Sequence, residues 1–305
     1  MTTKLCQKEI KMAKKVVVLV MSVGEYCTNY TAKMLKKIGA TENTVICLPK
    51  CYEKNADSYN KQGIAVYIYD QDKYKNGEFE YFGFKKVNCG GIGRQGIASA
   101  VENLGDTDTI FFQIDDDTSA LNVRKVIDGK LKTTSIKKWS NLEKLIIAEE
   151  EFFRETGIEC MGSTGATIPE AENFISNHKI FNNFIMRKGN RLNFYGFKAL
   201  CSDDYRYNIY RNLLDATPMI SCNLASITFH QNQGDRTDGN AVLYNKDCSW
   251  KKSFGLKMIM PFAVSQRIVK EQNRILFREN LEPAKIYPNI SVSDKDGNIT
   301  GEIKW

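Results

Sequence analysis

Six consecutive apolar residues, Val16–Met21, set the first constraint on this chain. A strand with one wet face alternates apolar and polar residues. This run does not, so a strand over residues 16–22 is covered on both faces, as in parallel sheets flanked by helices. The run falls far short of the roughly 18 residues a membrane-spanning helix needs. It also lacks the length and small-residue cleavage site of a secretory leader. The expectation is a soluble cytoplasmic protein with no membrane span.

The segments that follow repeat the same logic. Residues 29–38 carry Met34, Leu35 and Ile38 at helical spacing, and residues 44–48 and 65–69 read as short strands. Residues 88–96 are rich in glycine and read as a turn that runs into a helix through Ile97, Ala98, Val101 and Leu104. Residues 109–114 form a buried strand that ends in Asp115-Asp116-Asp117. The order β-α-β-β-α-β predicts an α/β fold, a parallel sheet with helices on both faces.

Beyond the acidic triplet the pattern changes. Residues 123–132 read as a hairpin turning at Asp128-Gly129. Residues 140–153 have the periodicity of an amphipathic helix. Residues 161–168 hold Gly162-Ser163-Thr164-Gly165, and residues 193–200 are aromatic and strand-like. Ser202 suits a helix cap. Residues 220–229 read as a strand with His230 just after it, and residues 264–278 as a helix. At 42% hydrophobic and 26% charged residues, 305 residues bury a full core, which excludes general disorder. The predicted organisation is a loose arm over 1–13, one domain over 14–245, and a basic extension over 246–305 packing on that domain.

Nine cysteines with no CxxC spacing, and only His178 and His230 beside them, exclude a zinc site of the usual spacing. Free thiols in a reducing compartment are the simpler reading.

Chemistry in an open α/β sheet gathers outside the carboxyl ends of its strands. Two features fall at that edge. Gly90-Gly91-Ile92-Gly93 offers a tight turn ahead of a helix N-terminus, with Arg94 adding a fork that grips phosphate oxygens or sugar hydroxyls. The pattern lacks the GxxxxGK[ST] of a P-loop. The second feature is Asp115-Asp116-Asp117, whose mutual repulsion nothing adjacent in sequence relieves. A divalent cation with hard oxygen ligands would relieve it.

Residues 88–98 followed by residues 111–117 resemble the nucleotide-sugar half of the GT-A glycosyltransferases. In that family a glycine-containing turn with a basic residue opens a helix, and a later strand ends in a DxD motif. The resemblance covers residues 14–235 and implies a GT-A fold, a Rossmann-like nucleotide-sugar-binding sheet. It implies donor contacts from Gly91, Gly93, Arg94, Gln95, Asp115 and Asp116. It implies Mn²⁺ or Mg²⁺ on Asp117, with Asp115 and the late His230 as further ligands. It implies a nucleoside diphosphate-sugar donor, a UDP-sugar by preference. Ser202-Asp203-Asp204 resembles the acidic motif from which inverting members draw their base. Aspartate replaces the usual glutamate at Asp203, so the choice between Asp204 and Asp203 stays open, with Asp204 preferred.

The acceptor is read from charge and from a narrower likeness. Residues 246–279 hold eight lysines and arginines against three carboxylates, and residues 187–211 hold six against two, with aromatics interleaved. Such segments grip phosphates and stack on exposed bases. Arg191, Tyr195, Arg206 and Lys251 are the acceptor-binding candidates. Arg94-Gln95 ahead of the triple aspartate is similar to the TET-associated glycosyltransferases, which include phage enzymes and the base J glucosyltransferase. That resemblance implies hydroxymethylated pyrimidine in DNA as acceptor, and a host cytoplasm for a phage-encoded chain. A cell-envelope glycan or polysaccharide is the alternative acceptor. Nucleotide transfer from the same donor and a catalytically dead binding module are the remaining rivals.

Overall fold

The computed structural model describes residues 15–74, 90–128, 130–156, 161–165, 175–176, 183–188, 220–229, 264–269, 274–279, 290–293 and 299–303. The arm over 1–13 lies outside them, as do the readings made at residues 193–200 and Ser202.

Four parallel strands carry the first sheet: β1 (Val16–Met21), β2 (Thr44–Pro49), β3 (Ala65–Tyr69) and β4 (Ile110–Asp115). Their order is β3-β2-β1-β4, and β9 (Asn183–Arg187) closes the β4 edge antiparallel, with Phe112 opposite Ile185. β1 sits in the middle, paired with both β2 and β4, and Val16–Val20 are fully buried. The unbroken apolar run therefore does what its pattern requires.

Alternation sorts the sheet into two faces. Val16, Val18, Val20, Ile46, Leu48, Ile110, Phe112 and Ile114 belong to one core. That core also takes in Leu35 of α1 (Tyr30–Lys37) and Leu142 and Ile146 of a later helix, α4 (Trp139–Thr156). Each fully buried aliphatic side chain there contributes on the order of 1.5–3 kcal/mol. The opposite face is covered by α3 (Gly90–Leu104), whose Gly93 approaches Met21 and whose Ser99 hydrogen-bonds Tyr67 at 2.8 Å. The short α2 (Ala56–Asn60) lies between β2 and β3 in the chain.

Local chemistry fixes both ends of α1. Asn29 caps its start, its Oδ1 accepting from the Ala32 amide at 2.7 Å. At the other end Gly39 takes φ +82°, which lets the Ala40 amide reach the Leu35 carbonyl at 2.9 Å and that of Gly39 reach Lys36 at 3.1 Å. This is the double bond of a Schellman stop, and the left-handed position suits glycine.

A second sheet begins directly after β4. β5 (Thr118–Ile127) and β6 (Lys130–Ser135) form a hairpin that turns at Asp128, whose φ of 55° is the left-handed value such turns require. The hairpin is where the Asp-Gly signal put it, with longer arms. β10 (Ile220–Phe229) joins it antiparallel and lies between β5 and β7 (Met161–Gly165), while β8 (Ile175–Ser176) also pairs with β10.

Two readings are corrected. Residues 264–278 are not a helix but an antiparallel pair, β11 (Val264–Val269) and β12 (Arg274–Glu279). The apolar spacing of Val264 and Ile268 satisfies a helix turn and a strand alternation equally, and the β-branched residues favour the strand. Residues 90–96 are not a turn but the opening turns of α3. A further pair, β13 (Ile290–Ser293) with β14 (Ile299–Ile303), follows. Among the described residues no helix is long and apolar enough to cross a membrane.

Candidate functional site at the carboxyl edge of the parallel sheet

Because β1, β2, β3 and β4 run parallel, their carboxyl ends share one edge. Met21 pairs with Asp115, so the residues after β1 and the acidic triplet leave the sheet side by side. The triplet spans the end of β4 and the turn into β5.

Each aspartate has a distinct environment. Asp115 faces α3, where Arg94 grips it with both arms of its guanidinium: Nη1 to Oδ1 at 2.9 Å and Nη2 to Oδ2 at 3.4 Å. The Arg94 side chain is 6% exposed and that of Asp115 23%, so this ion pair is sheltered from water. Gln113, fully buried, adds a bond from Nε2 to Asp115 Oδ1 at 3.0 Å. Asp116 accepts from the Ser22 hydroxyl at Oδ2, 2.8 Å away. Its carbonyl accepts from the amides of Tyr30 and Thr31 at 3.0 and 3.2 Å. These are first-turn amides of α1, which have no partner inside the helix. Asp117 is half-buried at the same turn.

Buried polar groups hold this turn in place. Thr31 Oγ1 donates to the Asp115 carbonyl and accepts from the Thr118 amide at 3.0 Å. Tyr59 donates to the Gly24 carbonyl at 2.8 Å and accepts from Asn29 Nδ2 at 3.1 Å. Its hydroxyl also stands 3.4 Å from Ser22 Oγ. Burial pushes the Tyr59 phenol up to about 12, so it stays protonated and remains a donor.

The charge that answers the triplet comes from distant sequence: Arg94 pairs with Asp115, and the Ser22 hydroxyl bonds the Asp116 carboxylate. The glycines also allow close packing. A Cβ added at Gly93 would fall 1.9 Å from Met21 Sδ, and one at Gly96 would fall 2.4 Å from Tyr69 Cε1. Gly91, Gly93 and Gln95 are buried within α3, so the glycine run lets the helix lie close on the sheet and brings Arg94 to Asp115.

The oxygen donors at the turn are of the hard kind that Mg²⁺ and Mn²⁺ accept. Two buried oxygens beside it, Gln113 Oε1 and Thr118 Oγ1, find no hydrogen-bond partner among the described residues. The set is partial: among the described residues no three His, Cys, Asp or Glu side chains converge as a metal centre would require. Asp203, Asp204, Arg191, Tyr195, Arg206, His230 and Lys251 lie outside the described residues. The end of β10 is within them, and Phe229 pairs with Thr118, the residue after Asp117.

Sequence reasoning missed Ser22, Thr31, Tyr59 and Gln113. Asn29 before a helical run carried a cap signal. The others gain their roles only through tertiary contact. Cys27 and Cys47 are free thiols, as the spacing suggested.

No family model matches the chain, and no curated protein matches it.

Proposed function

We propose that this chain is a metal-dependent glycosyltransferase. It moves a sugar from a nucleoside diphosphate-sugar to the hydroxymethyl group of a modified pyrimidine in DNA. The observation that carries the reading is the acidic turn at the carboxyl edge of a parallel sheet, held by Arg94 and by the N-terminal amides of α1. This is the edge where open α/β sheets take their ligands.

The role of Asp115 draws on its environment, and the other roles rest on the resemblance. Asp115 already has its charge matched by Arg94, so it acts as a fixed acceptor toward the donor's hydroxyl groups. Asp117 is the carboxylate assigned to Mn²⁺ or Mg²⁺, with His230, next in the chain after Phe229, as its partner. Bound there, a cation would supply positive charge to offset the negative charge developing on a diphosphate leaving group. Asp204, or Asp203 beside it, takes the proton from the acceptor hydroxyl. The acceptor oxygen bonds to the anomeric carbon as the bond from that carbon to the diphosphate breaks. The electron pair leaves with the nucleoside diphosphate, and one displacement inverts the anomeric centre. A base within duplex DNA has to leave the stack first, at a cost of a few kcal/mol.

The test is nucleoside mass spectrometry on DNA containing hydroxymethylcytosine or hydroxymethyluracil, incubated with the protein, Mn²⁺ and pooled nucleotide sugars. A hexose or pentose mass increment that disappears in Asp117→Ala is expected. Metal-dependent donor hydrolysis without any DNA product would move the acceptor to a cell-envelope glycan. Release of pyrophosphate in place of a nucleoside diphosphate would make the enzyme a nucleotidyltransferase. No turnover of any donor would sink the enzymatic reading.

A further inference from the structure

The register of β11 and β12 assigns each of their residues to one of two faces. Val264 pairs with Glu279, Gln266 with Phe277 and Ile268 with Ile275; Ser265 pairs with Arg278, Arg267 with Leu276 and Val269 with Arg274. Residues directly opposite share a face, and faces alternate along each strand. One face of the ribbon therefore holds Val264, Ile268, Ile275 and Phe277, with Gln266 and Glu279 among them. The other holds Arg267, Arg274 and Arg278 together with Ser265, Val269 and Leu276, and no carboxylate.

Arg274 and Arg278 are four residues apart on one strand, and Arg267 lies on the other strand opposite the position midway between them. Diagonal neighbours across two strands stand about 7–8 Å apart, so the three arginine positions form a close zigzag. Among the described strands, β11 and β12 pair only with each other.

We infer that the arginine face of the β11–β12 ribbon is a docking surface for duplex DNA. Two properties select that partner. A repeated row of guanidinium groups suits a polymer with a repeated anionic charge, because each arginine that neutralises a phosphate releases a condensed counterion. A two-stranded ribbon also fits the major groove, which is about 12 Å wide. A bilayer is the poorer match: four of the six aliphatic and aromatic residues, Val264, Ile268, Ile275 and Phe277, belong to the face opposite the arginines. The inference deepens the reading above by naming the acceptor-binding surface, and rests on that reading for its link to catalysis.

Fluorescence anisotropy with a labelled duplex, titrated across a range of salt, tests the surface. The protein is compared with the triple variant R267Q/R274Q/R278Q and with R267K/R274K/R278K. The slope of log affinity against log salt is expected to fall in magnitude by about 2.7 in the glutamine variant, from about 0.9 per lost phosphate contact. The lysine variant is expected to keep the slope, since a point charge is enough for counterion release. Should the glutamine triple prove unfolded by circular dichroism, Arg267→Gln alone is expected to lower the slope by about 0.9. Unchanged slope and affinity in the folded glutamine variants would overturn the inference. So would binding by the wild type to phosphatidylserine vesicles but not to duplex, tighter binding to single strands than to duplex, or binding to none of these. Mn²⁺-dependent hydrolysis of UDP-sugars without DNA, measured on the same proteins, keeps the two ideas apart. Its absence from the wild type sinks the donor site and leaves the ribbon standing; its presence, with DNA binding indifferent to the arginines, does the reverse.

Discussion

Arg94 clasps Asp115 through two hydrogen bonds, 2.9 and 3.4 Å long, and so pins the first turns of α3 to the end of β4. Removing one partner strands the other in a sheltered place, which is more costly than never having built the pair. Arg94→Ala is expected to lower stability by about 2–4 kcal/mol in urea titration. Arg94→Lys keeps the charge and loses the fork, so it should recover part of that loss. A neutral outcome for Arg94→Ala would mean that water already relieves Asp115.

The two close glycines of α3 should respond differently to a methyl group. Alanine in a helix interior gains up to about 1 kcal/mol over glycine. At Gly93 the new Cβ meets Met21, whose flexible thioether can turn aside. Gly93→Ala is therefore expected to be nearly neutral. At Gly96 it meets the ring of the buried Tyr69 at 2.4 Å. Gly96→Ala should cost about 1–3 kcal/mol. Thermal melts of the two variants, side by side, check the contrast.

Alkaline pH should weaken the fold through Tyr59 and Cys47. Burial pushes the Tyr59 phenol up to about 12 and raises the Cys47 thiol well above its ordinary value. Both groups give up their protons more readily in the unfolded chain. Their contribution is complete below the unfolded values, near 8.5 for the thiol and 10 for the phenol, and falls as pH rises beyond them. Denaturation midpoints measured between pH 8 and 12 are expected to decline in two overlapping steps. Tyr59→Phe should remove the upper step, while lowering stability near neutrality by about 1–2 kcal/mol through the lost bonds to Gly24 and Asn29. A Tyr59→Phe variant that declines as steeply as the wild type above pH 10 would contradict the assignment.

Asp115 and Asp117 should separate structure from chemistry. Asp115→Asn loses the ion pair with Arg94, and a fall in unfolding free energy is expected. Asp117→Asn is expected to abolish Mn²⁺-dependent donor hydrolysis with a smaller stability change. Calorimetric titration with Mn²⁺ supplies a second readout, since Asp117→Asn should remove a binding event that Asp115→Asn only weakens. The reverse ordering would exchange the roles of the two carboxylates.

The strands were the most legible part of the chain. Residues 65–69 and 220–229 have the bounds their composition suggested, because β-branched and aromatic residues declare themselves locally. The Asp128-Gly129 turn was legible for the same reason: the left-handed backbone it needs restricts the residue types. The glycine run misled because propensity reads isolated residues, whereas α3 is fixed by how near it lies to Met21 and Tyr69. Residues 264–278 misled because their apolar spacing satisfies two periods at once. At the site, the triplet itself was visible. Its partners were not, since Ser22, Thr31, Arg94 and Gln113 acquire their roles only when β1, α1, α3 and β4 meet.

The place of β10 has a consequence for how this protein is born. Val123 and Ala225 pair across about a hundred residues, a long closure for a ribosome-bound chain. The β5–β6 hairpin is synthesised well before its neighbour, and so is β7 on the other side. Until residues 220–229 emerge, β5 presents an open hydrogen-bonding edge next to the acidic turn, and such edges invite pairing with other chains. A nascent chain halted before that point holds the whole parallel sheet up to β9 but has an unsealed second sheet. Slow passage of the ribosome through the intervening stretch would prolong the interval in which this protein most needs a chaperone.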